Sequence, residues 1–119
     1  MEKTVLNGIG LCRAKIERRE RQREELEKVK GIIKPETYRR VKADIYRDIQ
    51  TSTKKLQETR AIIENHPHEL QRKILYYKWE EGKTLPEIAE MLLYCVDYIN
   101  KQHAKAIREI NLKYRPEKE

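Results

Sequence analysis

Apolar residues recur at alternating steps of three and four along most of this chain, the spacing that keeps one face of a helix out of water. The first run is Val5, Ile9, Cys12, Ile16, Leu26 and Val29. Arg19 and Arg23 interrupt its stripe, so the middle of this helix is weakly apolar. Gly31 ends it, and Pro35 with Glu36 has the form of a first helical turn. The second run is Tyr38, Val41, Ile45, Ile49, Ser52, Leu56, Thr59 and Ile63, a heptad-like series. Two such helices joined by a short Gly/Pro turn predict an antiparallel, coiled-coil-like hairpin over residues 1–66. Neither helix is expected to be stable alone in water. Each must pack on the other, on the rest of the chain, or on a second copy.

A new segment begins after Asn65-His66-Pro67, because proline disfavours helix at the residue before it. The spacing predicts a helix over 69–81 with Leu70, Ile74, Tyr77 and Trp79 inward, ended by Gly82. Thr84-Leu85-Pro86-Glu87 has the form of a capping box, with Pro86 tolerated in the first turn. The helix it opens buries Leu85, Ile88, Ala89 and Leu92. A turn falls near Leu93, Tyr94 and Cys95. The last helix spans about 96–113, with Ile99, His103, Ala106, Ile107 and Ile110 inward and Pro116 beyond its end. The expected fold class is therefore all-α: a helical hairpin over 1–66 and a helix-turn-helix over 67–119. Two short helices joined by a tight turn, the second with a basic outer face, form a common device for entering the DNA major groove.

Composition changes the picture in one respect. The chain has 119 residues, of which 38% are hydrophobic and 39% charged, so long exposed helices are favoured over a large single core. The net charge of +7 implies a polyanionic partner, and nucleic acid suits it better than a membrane. No apolar run approaches the roughly 18 to 20 residues of a spanning helix. The N-terminus lacks the apolar core of a signal peptide, so a cytoplasmic location is expected. Cys12 and Cys95 read as small apolar filler in a reducing compartment. His66-Pro67-His68 reads as a solvated turn, not a metal site. Neither a cofactor nor a metal is expected.

The charge is unevenly shared. Residues 1–66 hold 17 Lys and Arg against 11 Asp and Glu, whereas 67–119 hold 10 against 9. Within the second half the last helix is locally basic, with Lys101, Lys105, Arg108, Lys113 and Arg115 near it. The candidate DNA-binding residues are Asp97, Tyr98, Asn100, Lys101, Lys105 and Arg108. Tyr98, Asn100 and Lys101 lie where a recognition helix meets base edges, since Asn can bond adenine and Lys can donate to guanine. Asp97 could accept from cytosine or cap the helix. Lys105 and Arg108, farther along, suit phosphates. Tyr76, Tyr77 and Trp79 read as core aromatics and His103 as a packed, hydrogen-bonded histidine. The basic run Arg18, Arg19, Arg21 and Arg23 alternates with glutamates and reads as a salt-bridged helix face. Glu80-Glu81 has no converging partner in sequence, and no nucleophile constellation or phosphate-cradling loop is present, so no catalytic residue is assigned.

The run from Ile74 to Leu92 resembles region 4 of sigma-70-type factors. The resemblance rests on Trp79 near the end of an apolar helix, Glu81-Gly82, the capping Thr84, and Glu87-Ile88-Ala89-Glu90 before Leu92. It continues through Ile107, with Ile99 at the usual apolar position and Ala106 at the usual small one. Leu93 stands where that family commonly has glycine, and Cys95 where serine usually caps the recognition helix. Tyr94, His103 and Ala106 are similar to residues of phage-encoded late-transcription activators of the ArpU and RinA type. The resemblance covers roughly the last 50 residues. It implies a helix-turn-helix that reads promoter double-stranded DNA, with RNA polymerase as a further partner. Residues 1–66 lack the aromatic-rich helix expected for melting DNA, which favours an activator or accessory factor over a complete sigma factor.

Three functions are consistent with this sequence. The first is a sequence-specific transcription regulator whose N-terminal helices form a homodimer or contact polymerase. The second is a small terminase-type DNA-packaging protein. The third is an interaction protein that acts through the hairpin alone.

Overall fold

A computed structural model describes residues 4–114, and the following account is of those residues. They are all-helical, with no strand. In chain order the elements are α1 (Asn7–Lys28), α2 (Pro35–Glu64), α3 (Glu69–Leu75), a π-helical segment (Tyr76–Glu80), α4 (Leu85–Leu92) and α5 (Val96–Lys113). No helix among the described residues is long and apolar enough to cross a membrane. Arg115 and Pro116 lie outside the described residues. Packing divides the chain into two units, one of residues 11–57 and one of residues 4–10 with 58–114.

The unit of residues 11–57 is built from α1 and α2. Leu26, Tyr38 and Ile45 form its buried cluster, and Ile33, Val41 and Ile49 pack against it half-buried. Where the α1 stripe is interrupted, Arg19 bridges to α2: its Nε donates to Asp48 Oδ2 at 2.8 Å. That bond and the guanidinium charge hold the Asp48 carboxyl below its usual pKa. Nearer the connection, the Tyr38 hydroxyl donates to Glu27, which lowers that carboxyl in the same way. The 19/48 and 27/38 pairings run in opposite chain directions, so the two helices are antiparallel here. Val29 falls beyond the last residue of α1 and is exposed, not part of the buried stripe.

The other unit holds the C-terminal half of the chain. Thr4 starts it, its carbonyl accepting from Asn7 N–H at 3.1 Å, and Leu6 and Ile9 are fully buried. Leu56 belongs to the unit before it, whereas Thr59 and Ile63 continue the buried α2 stripe into this one. Ile74, Ile88, Ala89 and Ile99 form the central cluster, with Leu70, Tyr77, Leu85 and Leu92 half-buried around it. Both α3 and α4 pack on α5, which buries Ile99, His103, Ala106, Ile107 and Ile110. Helix α3 also buries Gln71 and Leu75, a second stripe that its apolar spacing did not mark.

Three sequence expectations need correction here. Tyr76 is exposed, whereas Tyr77 is half-buried; neighbours on a helix differ by about 100°, so both cannot share the inner face with Ile74. His66 is buried, not part of a solvated turn: Arg72 donates to its carbonyl at 2.7 Å and Gln71 Oε1 lies 2.6 Å from its Nε2. Gln71 passes the chain on, donating to Gln102 of α5 at 3.0 Å. Cys12 is buried filler as expected, but Cys95 is exposed.

Candidate nucleic-acid interface

Helix α4 begins and ends on specific backbone chemistry. Thr84 Oγ1 accepts from Glu87 N–H at 3.2 Å, and Glu87 Oε1 accepts from Thr84 N–H at 3.0 Å. This reciprocal box satisfies two free donors of the first turn and keeps the Glu87 carboxyl below its usual pKa. At the other end, Tyr94 N–H reaches the Ala89 carbonyl at 3.0 Å and Leu93 N–H the Glu90 carbonyl at 3.4 Å. These two bonds form a Schellman ending, which needs a left-handed residue. That residue is Leu93, at φ 62° and ψ 40°, and its side chain is 91% exposed. Cys95 then precedes α5 without capping it through its side chain. The connection between α4 and α5 is thus three residues, Leu93 to Cys95.

The helix before α4 ends differently. Glu81 N–H bonds the Tyr76 carbonyl, one residue farther back than in an α-helix, so the last turn widens into a π segment. Gly82, at φ +72°, lets the chain turn, and Lys83 N–H closes onto the Tyr77 carbonyl at 2.9 Å. This segment carries Trp79 and Glu80. Trp79 Nε1 donates to His103 Nε2 on α5 at 3.3 Å, and the two rings stack at 22°. Glu80, which had no evident partner in sequence, is held by the Arg60 guanidinium of α2 in a forked pair, one arm of which measures 3.2 Å. The pair raises the Arg60 pKa further above its ordinary value. Both contacts fix the π segment at positions that amphipathic spacing alone did not reveal.

All six candidate residues of α5, Asp97, Tyr98, Asn100, Lys101, Lys105 and Arg108, are exposed. They do not form one face. At about 100° per residue, Asp97, Lys101, Lys105 and Arg108 share the row opposite the buried Ile99, Ala106 and Ile110. Tyr98 and Asn100 flank this row on opposite sides, roughly 160° apart. Tyr98 lies with Tyr94, ring centroids 5.2 Å apart. Asp97 occupies the first turn of α5 and Lys113 the last, each on the side of the helix dipole that favours its charge.

The surface around the start of α5 holds more than sequence reasoning identified. Met91, Leu93, Tyr94 and Val96 are exposed beside Tyr98. Only the exposure of so many apolar residues within eight positions distinguishes this patch; periodicity does not. Among the described residues no group of three or more His, Cys, Asp or Glu is placed to hold a metal ion. Even so, the fold brings Glu109 to 3.8 Å from His66 Nε2 and 3.7 Å from His68 Nε2. No protein-family model, curated protein or solved structure matches this chain.

Proposed function

We propose that this chain is a sequence-specific DNA-binding transcription regulator, a helical hairpin followed by a helix-turn-helix of the sigma-70 region 4 type. Helix α5 enters the major groove of promoter DNA, and α4 lies across it. Lys101 and Asn100 meet base edges near the start of α5, with Tyr98 and Asp97 beside them. Lys105 and Arg108 meet phosphates. The reading is carried by one observation: α5 is buried along one face and exposed on the other, and that outer row holds three cations against Asp97. The short three-residue connection to the capped α4 accompanies it. No catalytic residue is proposed. The late-transcription activators named above are the proposed relatives, RNA polymerase a proposed further partner, and the cytoplasm the proposed location. The α1–α2 pair is proposed to join two copies.

The test is selection of bound duplexes from a randomised pool and from fragmented phage or host genome, at near-physiological salt. Enrichment of one site just upstream of a promoter supports the reading. Enrichment at a genome end, with a ring of many subunits in solution, supports DNA packaging instead. Absence of any enriched sequence overturns both.

A further inference from the structure

The division of the chain into two packing units redistributes its charge. The unit of residues 11–57 contains 15 Lys and Arg and 8 Asp and Glu, a net +7. The remaining residues contain 12 of each and are neutral. All of the net positive charge therefore belongs to the unit that does not carry α5.

Within that unit, the α2 portion of residues 35–57 holds six Lys and Arg against three Asp and Glu, and three of those cations share one side of the helix. Helix α1 alternates its cations with Glu17, Glu20, Glu24, Glu25 and Glu27. On α2, Arg40, Arg47 and Lys54 recur every seven residues, on the side away from the buried Tyr38, Ile45 and Ser52. Arg39 flanks them, and all four are exposed. Among the described residues no acid pairs with Arg39, Arg40 or Lys54. Arg47 pairs only with the exposed Asp44 at 3.3 Å, a bond that costs little to exchange. Asp48 is turned to Arg19, and the exposed Glu36 and Glu58 lie one turn outside the row at either end.

We propose that this ridge of α2 grips the phosphate backbone of duplex DNA without regard to sequence. A step of seven helical residues is about 10.5 Å. The major groove is about 12 Å wide, so successive cations can meet the phosphate rows on its two edges. Arginine suits phosphate through its planar fork of donors. A protein partner fits less well, because interface centres are depleted in charge and rich in apolar groups. Tyr46 is the one large apolar residue exposed on this part of α2, and its hydroxyl is engaged by Gln50. The ridge shares its partner with the function proposed above but not its site, so the two can fail separately.

The experiment compares the full chain with the triple variant Arg40→Ala/Arg47→Ala/Lys54→Ala, on random-sequence and on selected duplexes, across a salt series. All three positions are exposed, and circular dichroism checks that the helices persist. The expected result is a loss of roughly a hundredfold at near-physiological salt, equal on both duplexes, with the salt slope shallower by two to three units. Unchanged affinity and slope overturn the proposal. So does a loss confined to the selected duplex, or tight binding of polyglutamate in place of duplex that the triple variant abolishes. If no duplex can be selected at all, the random-sequence series still decides the ridge, and only the α5 reading falls.

Discussion

Trp79 donates its indole N–H to Nε2 of His103 across 3.3 Å, and this bond fixes the protonation state of the histidine. An Nε2 that accepts cannot carry a proton, so the ring is neutral with its hydrogen on Nδ1. Burial, reinforced by the charge of Lys78, lowers the His103 pKa to about 4. In the unfolded chain the ring takes a proton near pH 6.5. Between those values the unfolded state binds the extra proton, so stability falls as pH falls from about 6.5 to about 4. The loss is expected to be about 1–3 kcal/mol, reduced from its ceiling because the ring is not wholly dry. Urea denaturation at pH 7 and pH 4.5 measures it. A His103 signal titrating near pH 6.5 in the folded protein would contradict the assignment. Trp79→Phe removes the donor and costs about 1–2 kcal/mol at pH 7.

Two left-handed positions flank α4, and they hold unlike residues. At Leu93 a γ-branched side chain sits at φ 62° and is almost wholly in solvent, so its conformation is strained and its burial contributes little. Leu93→Gly is expected to stabilise the chain by about 0.5–1 kcal/mol, the relief of strain being partly offset by the freer unfolded chain. Gly82 is the mirror case. A Cβ there meets nothing within 4 Å, so Gly82→Ala tests the backbone alone and should cost about 1 kcal/mol. Opposite signs in paired urea curves check both. If Leu93→Gly destabilises, the Leu93 side chain is packed against something that its exposure does not reveal.

The capping box gives a local test of the α4 start. Thr84→Ala removes the acceptor for Glu87 N–H and leaves the Glu87 carboxylate with one partner instead of a reciprocal pair. The expected cost is about 1 kcal/mol. Thr84→Ser, which keeps the oxygen, should restore most of it. If serine fails where threonine succeeds, the packing of the methyl group and not the cap is responsible.

Much of this fold was legible from spacing. The Thr84 cap, the limits of α5 and its five buried residues all follow from apolar period and cap chemistry, because those signals are local. What escaped was set by side-chain partners that apolar spacing does not encode. Gln71 is buried because His66 and Gln102 satisfy its amide, and no periodicity announces that. The Arg60–Glu80 pair and the π turn that presents Glu80 depend on α2 lying against the end of the α3 segment, which no local pattern encodes. For the candidate site, the types of the α5 residues were visible. That Tyr98 and Asn100 stand on opposite flanks of the Lys101 row is also contained in the same spacing. The apolar patch of Met91, Leu93, Tyr94 and Val96 was invisible, because apolar residues are expected inside.

Lys101 and Arg108 share the outer row of α5 yet are expected to behave differently. Lys101 lies on the second turn of the helix, within reach of base edges if the N-terminal end of α5 leads into the groove. Lys101→Ala should then cost about 1–3 kcal/mol on the selected site and much less on a scrambled duplex. Arg108 lies two turns farther along and is the residue proposed to meet phosphate. Arg108→Ala should weaken both duplexes about equally and make the salt slope shallower by about one unit. Fluorescence anisotropy titrations of both variants on both duplexes, at three salt concentrations, separate the two roles. A reversed pattern, with Arg108 carrying the discrimination, would mean that the C-terminal part of α5 faces the bases. Equal, salt-independent losses from both would mean that the substitutions act on folding, and a wild-type slope near zero would remove DNA as the ligand of this face.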